Sequence, residues 1–120
     1  MTRPWKLGPL EVRVSAIIST YNAANLIRGC LEGLLDQTLY QKGELEIVVI
    51  DSGSLENEGG IVLEFQKENP RIEYLRTEER ESIYRAWNRG IQMAKGRYLT
   101  NANTDDRHEK DSLEKLANAL

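Results

Sequence analysis

Cysteine is almost missing from this chain. Cys30 is the only one in 120 residues, so no internal disulfide can form. Its place among leucines at helical spacing marks it as a small buried apolar side chain, and both points suit a reducing compartment. A cationic excess is missing too. The formal net charge is −3 and the pI about 5.3, and the Lys and Arg residues are scattered among Glu without forming a basic face. That argues against nucleic acid as a partner. No stretch approaches the roughly 20 apolar residues that span a bilayer. The two early cations of Met1–Leu10 are not followed by the apolar run of a signal peptide. The expectation is a soluble cytoplasmic protein, with peripheral membrane contact left open.

What is present reads as one domain with alternating elements. Residues 1–10, with Pro4, Gly8 and Pro9, form an irregular lead-in, and the domain runs over 11–120. Val12 to Thr20 is rich in β-branched and small apolar residues, as in a strand buried on both faces. Leu26, Ile27, Cys30, Leu31, Leu34 and Leu35 recur at three- and four-residue spacing and predict a helix, with Asn22 or Asn25 as its cap. Leu45 to Ile50 is the clearest strand. Gly59 and Gly60 precede a weaker helix over Ile61 to Lys67, closed by Asn69-Pro70. Ile72 to Leu75 is a third strand. A third helix carries Ile83, Trp87, Ile91 and Ala94 on one face, with Gly96 where a left-handed residue ends helices. Arg97 to Asn101 is a fourth strand, and Asp111 begins a last helix. Strands separated by helices imply right-handed crossovers and a parallel sheet, and such sheets bind ligands beyond the carboxyl ends of their strands.

Polar clusters fall at that edge. Asp105 and Asp106 follow the fourth strand, where adjacent carboxylates supply hard oxygen ligands to Mg²⁺ or Mn²⁺; equally, Asp106 caps the next helix and Asp105 is a solvated loop residue. Asp51-Ser52-Gly53-Ser54 ends the second strand. It offers acceptors to a nucleobase or ribose, or forms a tight turn with Asp51 bonding its own backbone. Ser19-Thr20-Tyr21-Asn22 ends the first strand and either lines a base pocket, with Tyr21 as an apolar wall, or is a plain strand-to-helix junction. Arg80, Arg85, Asn88 and Arg89 offer cations to a diphosphate, or pair with Glu78, Glu79 and Glu81. His108 is read as a surface residue.

The ordered set resembles the N-terminal half of family-2 glycosyltransferases, inverting enzymes of the GT-A fold. The resemblance rests on Thr20-Tyr21-Asn22, Gln37, Asp51 to Ser54, Ile83-Tyr84, Ala86, Asn88, Gly90 and Gly96-Arg97-Tyr98, and it runs from about Val12 to Leu120. Counted from Gly96, the family's Asp-x-Asp motif falls on Asn103-Thr104-Asp105. Asp105 is then the better metal ligand, with Asp106 beside it, and the amide of Asn103 offers a carbonyl oxygen to metal or ribose. Ser52 stands where many members carry an acid, and Leu55-Glu56 where they carry Thr-Asp.

The resemblance implies a Rossmann-like α/β fold with a mostly parallel four-stranded sheet of order 3-2-1-4 flanked by helices. It implies metal-dependent, inverting transfer of a sugar from a UDP-, GDP- or dTDP-linked donor to a hydroxyl of an acceptor glycan or lipid-linked sugar. Thr20, Tyr21, Asp51, Ser52, Arg80 and Asn103 would hold the nucleotide, and Asp105 and Asp106 the metal. Family members place the acceptor site and general base in a further half, so the chain is expected to be truncated before it and inactive alone. Two alternatives remain. One is a non-catalytic, nucleotide-binding or self-associating module, a homodimer for instance. The other is a nucleotidyltransferase, against which Tyr21-Asn22-Ala23-Ala24 stands where a Gly-rich phosphate loop is expected.

Overall fold

A computed structural model describes residues 12–120; the lead-in expected at 1–10 lies outside them. The elements are β1 (Val14–Thr20), α1 (Ala24–Leu35), α2 (Thr38–Gln41), β2 (Leu45–Asp51), α3 (Glu58–Gln66), β3 (Ile72–Arg76), α4 (Ile83–Met93), β4 (Tyr98–Asn101) and α5 (Ser112–Asn118). The four strands form one sheet of order β3-β2-β1-β4, the order expected, and every pairing is parallel. In the central pair, Val14 lies opposite Leu45 and Thr20 opposite Asp51. The two strands therefore end together, and the loops that follow them leave side by side.

Every residue of β2 is buried, as its continuous apolar run requires, and the two-residue period of a strand divides its side chains between two faces. Leu45, Ile47 and Val49 join Ala16 and Ile18 of β1 in the larger core, packed under Ile27, Cys30, Leu31 and Leu34 of α1, Val62 of α3, and Leu113 and Ala117 of α5. On the other face, Ile17, Val48 and Ile50 meet Ala86 of α4 in a smaller cluster flanked by Trp87 and Met93. Among the described residues, no helix is long and apolar enough to cross a membrane.

Several local expectations are corrected. Neither Asn22 nor Asn25 caps α1: the N-cap is Ala23, which makes no side-chain bond, and Asn22 sits at a left-handed φ of 49°. Helix α3 starts at Glu58, so Gly59 and Gly60 lie inside its first turn. The four-residue α2 is too short to leave a periodic signature and was not expected. Gly96 is not a left-handed stop. Helix α4 ends on Ala94 in an extended conformation, and the Gly96 amide instead donates to Ser15 Oγ at 2.8 Å. That serine donates to the buried Glu46 at 2.5 Å, which ties the α4–β4 connection to the sheet. On α4 itself the small residues Ala86 and Gly90 face the sheet. The larger Ile83 and Ile91 remain 44% and 48% exposed, as does Leu99 of β4, beside Ile91, at 45%.

Candidate functional site

The carboxyl edge of the sheet is built by lacing the β1 and β2 loops together. The Ser52 amide donates to the Thr20 carbonyl at 2.9 Å, and the Asn22 amide to Ser54 Oγ at 2.9 Å. The Leu55 amide reaches Asn22 Oδ1 at 2.7 Å. The first amides of a helix lack intrahelical partners, and for α1 two acids supply them, Glu56 of the β2–α3 loop and Glu58 at the start of α3. Ala23 N–H donates to Glu58 Oε2 at 2.9 Å and Ala24 N–H to Glu56 Oε1 at 3.0 Å. These carboxylates complement the positive end of the α1 dipole, so that end is already taken.

Glu58 is the functional-edge residue that sequence reasoning missed. It is fully buried, and the same Oε2 also accepts from Thr20 Oγ1 at 2.9 Å and Ser54 Oγ at 2.7 Å. Its other oxygen, Oε1, has no hydrogen-bond partner among the described residues. The one sequence signal was an acid at the first position of a helix that follows a strand-end turn.

The Asp51 cluster adopts the tight turn. Asp51 Oδ1 accepts from the Ser54 amide at 2.9 Å, and Oδ2 from the Tyr74 hydroxyl at 2.6 Å. Burial, reinforced by that bond, pushes the Tyr74 phenol up. Gly53 takes a φ of +65°, and a Cβ there would lie 2.7 Å from the Glu79 carbonyl carbon; only glycine suits both the dihedral and the close approach. The β3–α4 loop is thus strapped over β2. Ser52 Oγ donates to the Glu81 carbonyl at 3.0 Å and accepts from its amide at 2.5 Å.

Thr20, Asp51 and Ser52 are therefore brought together, but as buried members of the scaffold. Tyr21 and Arg80 offer surface above them, with the guanidinium carbon 4.1 Å from the ring centroid. Of the other cations, Arg89 grips Glu81 through two bonds of 2.6 and 2.7 Å. The bond to Arg89 holds the Glu81 carboxyl below its ordinary range. Arg85, Asn88 and His108 are exposed.

Beyond β4, residues 103–106 form a closed turn. The Asp106 amide donates to the Asn103 carbonyl at 2.9 Å, and the Asn103 amide donates back to Asp106 Oδ2 at 2.9 Å. Asp106 therefore closes this turn and does not cap the next helix, whose N-cap is Asp111. Asp105 is exposed. Among the described residues, no group of three or more His, Cys, Asp or Glu side chains could hold a metal ion. The turn nevertheless fits a hard cation of the Mg²⁺ type, which takes one or two carboxylates and completes its shell with water and phosphate oxygens. The hard oxygen donors that the turn would offer such a cation are Asp105, the second oxygen of Asp106 and the exposed side-chain amide of Asn103.

The turn leans on α1. Cys30 Sγ lies 3.4 Å from the Asn103 carbonyl oxygen. Burial pushes this thiol from 9.0 up to about 11, with Arg107 opposing and Asp106 and Asp105 adding to the shift. Just past α1, the buried Gln37 donates from Nε2 to the Glu109 carbonyl at 2.6 Å and accepts from the Leu113 amide at 3.2 Å.

Residues 15–120 match the family described as Glycosyl transferase family 2. The chain belongs to that family. It is 34% identical over 103 residues to the glycosyltransferase GlyG of Streptococcus pneumoniae, covering 86% of this chain and 33% of that protein. It is 31% identical over 102 residues to the putative teichuronic acid biosynthesis glycosyltransferase TuaG of Bacillus subtilis, covering 85% and 39%. The chain thus spans between a third and two fifths of these two relatives. The fold matches the mannosyltransferase of Pyrobaculum calidifontis solved with GDP-Man and Mn²⁺, at a TM-score of 0.78 and 29% identity over 98% of this chain and 34% of that one. It also matches S. aureus TarS 1-349 in complex with UDP, at a TM-score of 0.80 and 24% identity over 89% and 31%. The all-parallel sheet and its flanking helices are those of the GT-A glycosyltransferases among these neighbours.

Glu58→Ala strands two buried hydroxyl donors and one half-buried amide and removes their bonds to a charged acceptor, so it should cost about 3 kcal/mol, read as a lower urea midpoint at unchanged slope. The raised Cys30 thiol keeps its proton at pH 8, where an Ellman assay should find it unreactive in the folded protein and reactive in denaturant. Between pH 9 and about 11 the unfolded chain gives up that proton first, so stability should fall as pH rises through this window.

Proposed function

We propose that this chain is the donor-binding part of an inverting, divalent-metal-dependent glycosyltransferase. It would pass a hexose from a nucleotide-diphosphate sugar to a hydroxyl of an acceptor glycan or lipid-linked sugar. The observation that carries the reading is the exposed Asp105 carboxylate on the closed turn beyond β4. It lies past the same carboxyl edge of the sheet as Tyr21 and Arg80. The mannosyltransferase neighbour holding GDP-Man and Mn²⁺ supports both the donor class and the metal, and TarS, solved with UDP and with UDP-GlcNAc, supports the former.

In this reading the base and ribose lie against Tyr21, over the floor formed by Thr20, Asp51 and Ser52. Arg80 turns its guanidinium toward the diphosphate, which it can meet through paired N–H groups. Asp105 is the principal metal ligand, with Asp106 and the carbonyl of Asn103 beside it. A divalent metal there neutralises charge on the departing diphosphate. The general base and the acceptor site belong to residues beyond these 120, so the chain binds donor and by itself turns over little or none. A cytoplasmic location, with room for peripheral membrane contact, accords with a donor of this class and with the lone buried Cys30.

Calorimetric titration with UDP, GDP and dTDP, each with and without Mn²⁺, tests the assignment on wild type and Asp105→Ala. Binding that needs Mn²⁺ and is lost in the variant is expected. Equal binding without metal would sink the reading.

A second reading, a non-catalytic self-associating module, has one observation in its favour. Ile83, Tyr84, Ile91 and Leu99 leave apolar surface on α4 and β4, between 44% and 73% exposed, of the kind that marks association sites. Light scattering at micromolar concentration separates the two. The donor-binding reading expects a monomer, and a persistent dimer without metal-dependent nucleotide binding would favour the module.

A further inference from the structure

The acidic turn is held from outside by a residue that neither the family comparison nor the sequence pattern singles out. Arg107 follows the turn directly. Its Nη1 donates to the carbonyl of Thr104 at 2.9 Å and to that of Asp106 at 2.7 Å. One guanidinium nitrogen therefore bridges the carbonyls of the residues before and after Asp105. The guanidinium also rests on α1 at Gly29. A Cβ at that position would lie 2.6 Å from Nη2, 3.2 Å from Cζ and 3.4 Å from Nε, so the missing side chain of Gly29 is the space the arginine occupies.

Nothing about α1 itself requires glycine here. Gly29 is a helix-interior residue between Arg28 and Cys30, where glycine is among the weakest helix formers. The cost of keeping it is explained by what lies against it. Asp106 is already tied to Asn103 through Oδ2, and Arg107 fixes the two neighbouring carbonyls. Asp105 is thus an exposed carboxylate on an immobilised backbone, the arrangement that lets a ligand meet a metal without first paying to order its loop.

We propose that Arg107, seated on Gly29, is a positioning residue for the metal site, a claim that rests on the assignment of Asp105 as metal ligand. Charge alone predicts the opposite sign. A cation beside the acids repels Mn²⁺, so removing it would tighten binding if electrostatics dominated. The positioning role requires weaker binding instead. Because Arg107 is exposed, its removal opens no core.

The test is a titration of the 120-residue chain with Mn²⁺, followed by the electron paramagnetic resonance signal of the free ion. It uses wild type, Asp105→Ala, Arg107→Ala, Arg107→Lys and Gly29→Ala, each with a thermal melt. Arg107→Ala should weaken Mn²⁺ binding on the order of tenfold, as loss of a ligand-orienting partner does, with the melting temperature unchanged. Arg107→Lys should recover part of it, since an ammonium can also reach two carbonyls. Gly29→Ala should weaken binding while holding or raising the melting temperature, because it displaces the guanidinium, keeps its charge and improves the helix. A merely structural role would not separate affinity from stability in this way. If Asp105→Ala loses Mn²⁺ while Arg107→Ala and Gly29→Ala bind it as wild type does, or more tightly, the positioning role is overturned and the ligand assignment stands. If Asp105→Ala binds Mn²⁺ like wild type, the ligand assignment fails and the inference goes with it.

Discussion

In a parallel sheet whose two central strands end in register, the loops that follow emerge together, and each must find partners for amides the ladder no longer pairs. Here one carboxylate oxygen, Oε2 of Glu58, takes one such amide, that of Ala23, together with the hydroxyls of Thr20 and Ser54, and so joins two separate segments. Burying a carboxylate costs several kcal/mol. Three hydrogen bonds to a charged acceptor, each worth about 1.5–3 kcal/mol, are of the size needed to offset that cost. The rest of the edge follows from this joint. It fixes where α1 begins and which way Ser54 points, and so the turn in which Asp51 bonds the Ser54 amide. That turn in turn sets where the β3–α4 loop can lie across Gly53.

The frame was legible in the sequence because it rests on local pattern. A continuous apolar run such as Leu45 to Ile50 admits few readings other than a doubly covered strand, and its alternation with helical stripes leads to a parallel sheet. The clusters at the strand ends were legible for the same reason. The joints were not. Glu58 meets Thr20 across 38 residues, Gln37 meets the Glu109 carbonyl across 72, and Cys30 meets Asn103 across 73. No periodicity encodes contacts of that range. Asn22 looked like a local cap because asparagine so often is one, yet the α1 amides went to acids that only the folded chain brings near.

Helix α4 shows a different failure, one of reading size for depth. Ile83, Trp87 and Ile91 make the stronger apolar stripe, but Ala86 and Gly90 face the sheet, where a close helix-to-sheet distance admits only small side chains. The larger residues stay at the flank, beside the edge strand β4, which among the described residues pairs only with β1. An apolar flank beside an open sheet edge is a surface with unmet pairing capacity. It is the part of this domain best suited to receive further structure, whether more chain or a second copy.

Helix α1 links the two halves of the site. Its first amides are fixed to the β2 loop through Glu58 and Glu56, its middle touches the acidic turn at Gly29 and Cys30, and Gln37 just beyond its end holds the segment after that turn. Twelve helical residues span about 18 Å at 1.5 Å each, and a helix of that length is far stiffer than either loop it contacts. The surface at Tyr21, proposed to receive the nucleoside, and the carboxylate at Asp105 are thus referred to a single rigid element. Loops anchored to one another would let the base end and the diphosphate end of a donor drift independently. Loops anchored to a common helix keep that separation constant, and a constant separation is what one extended ligand bridging both would require.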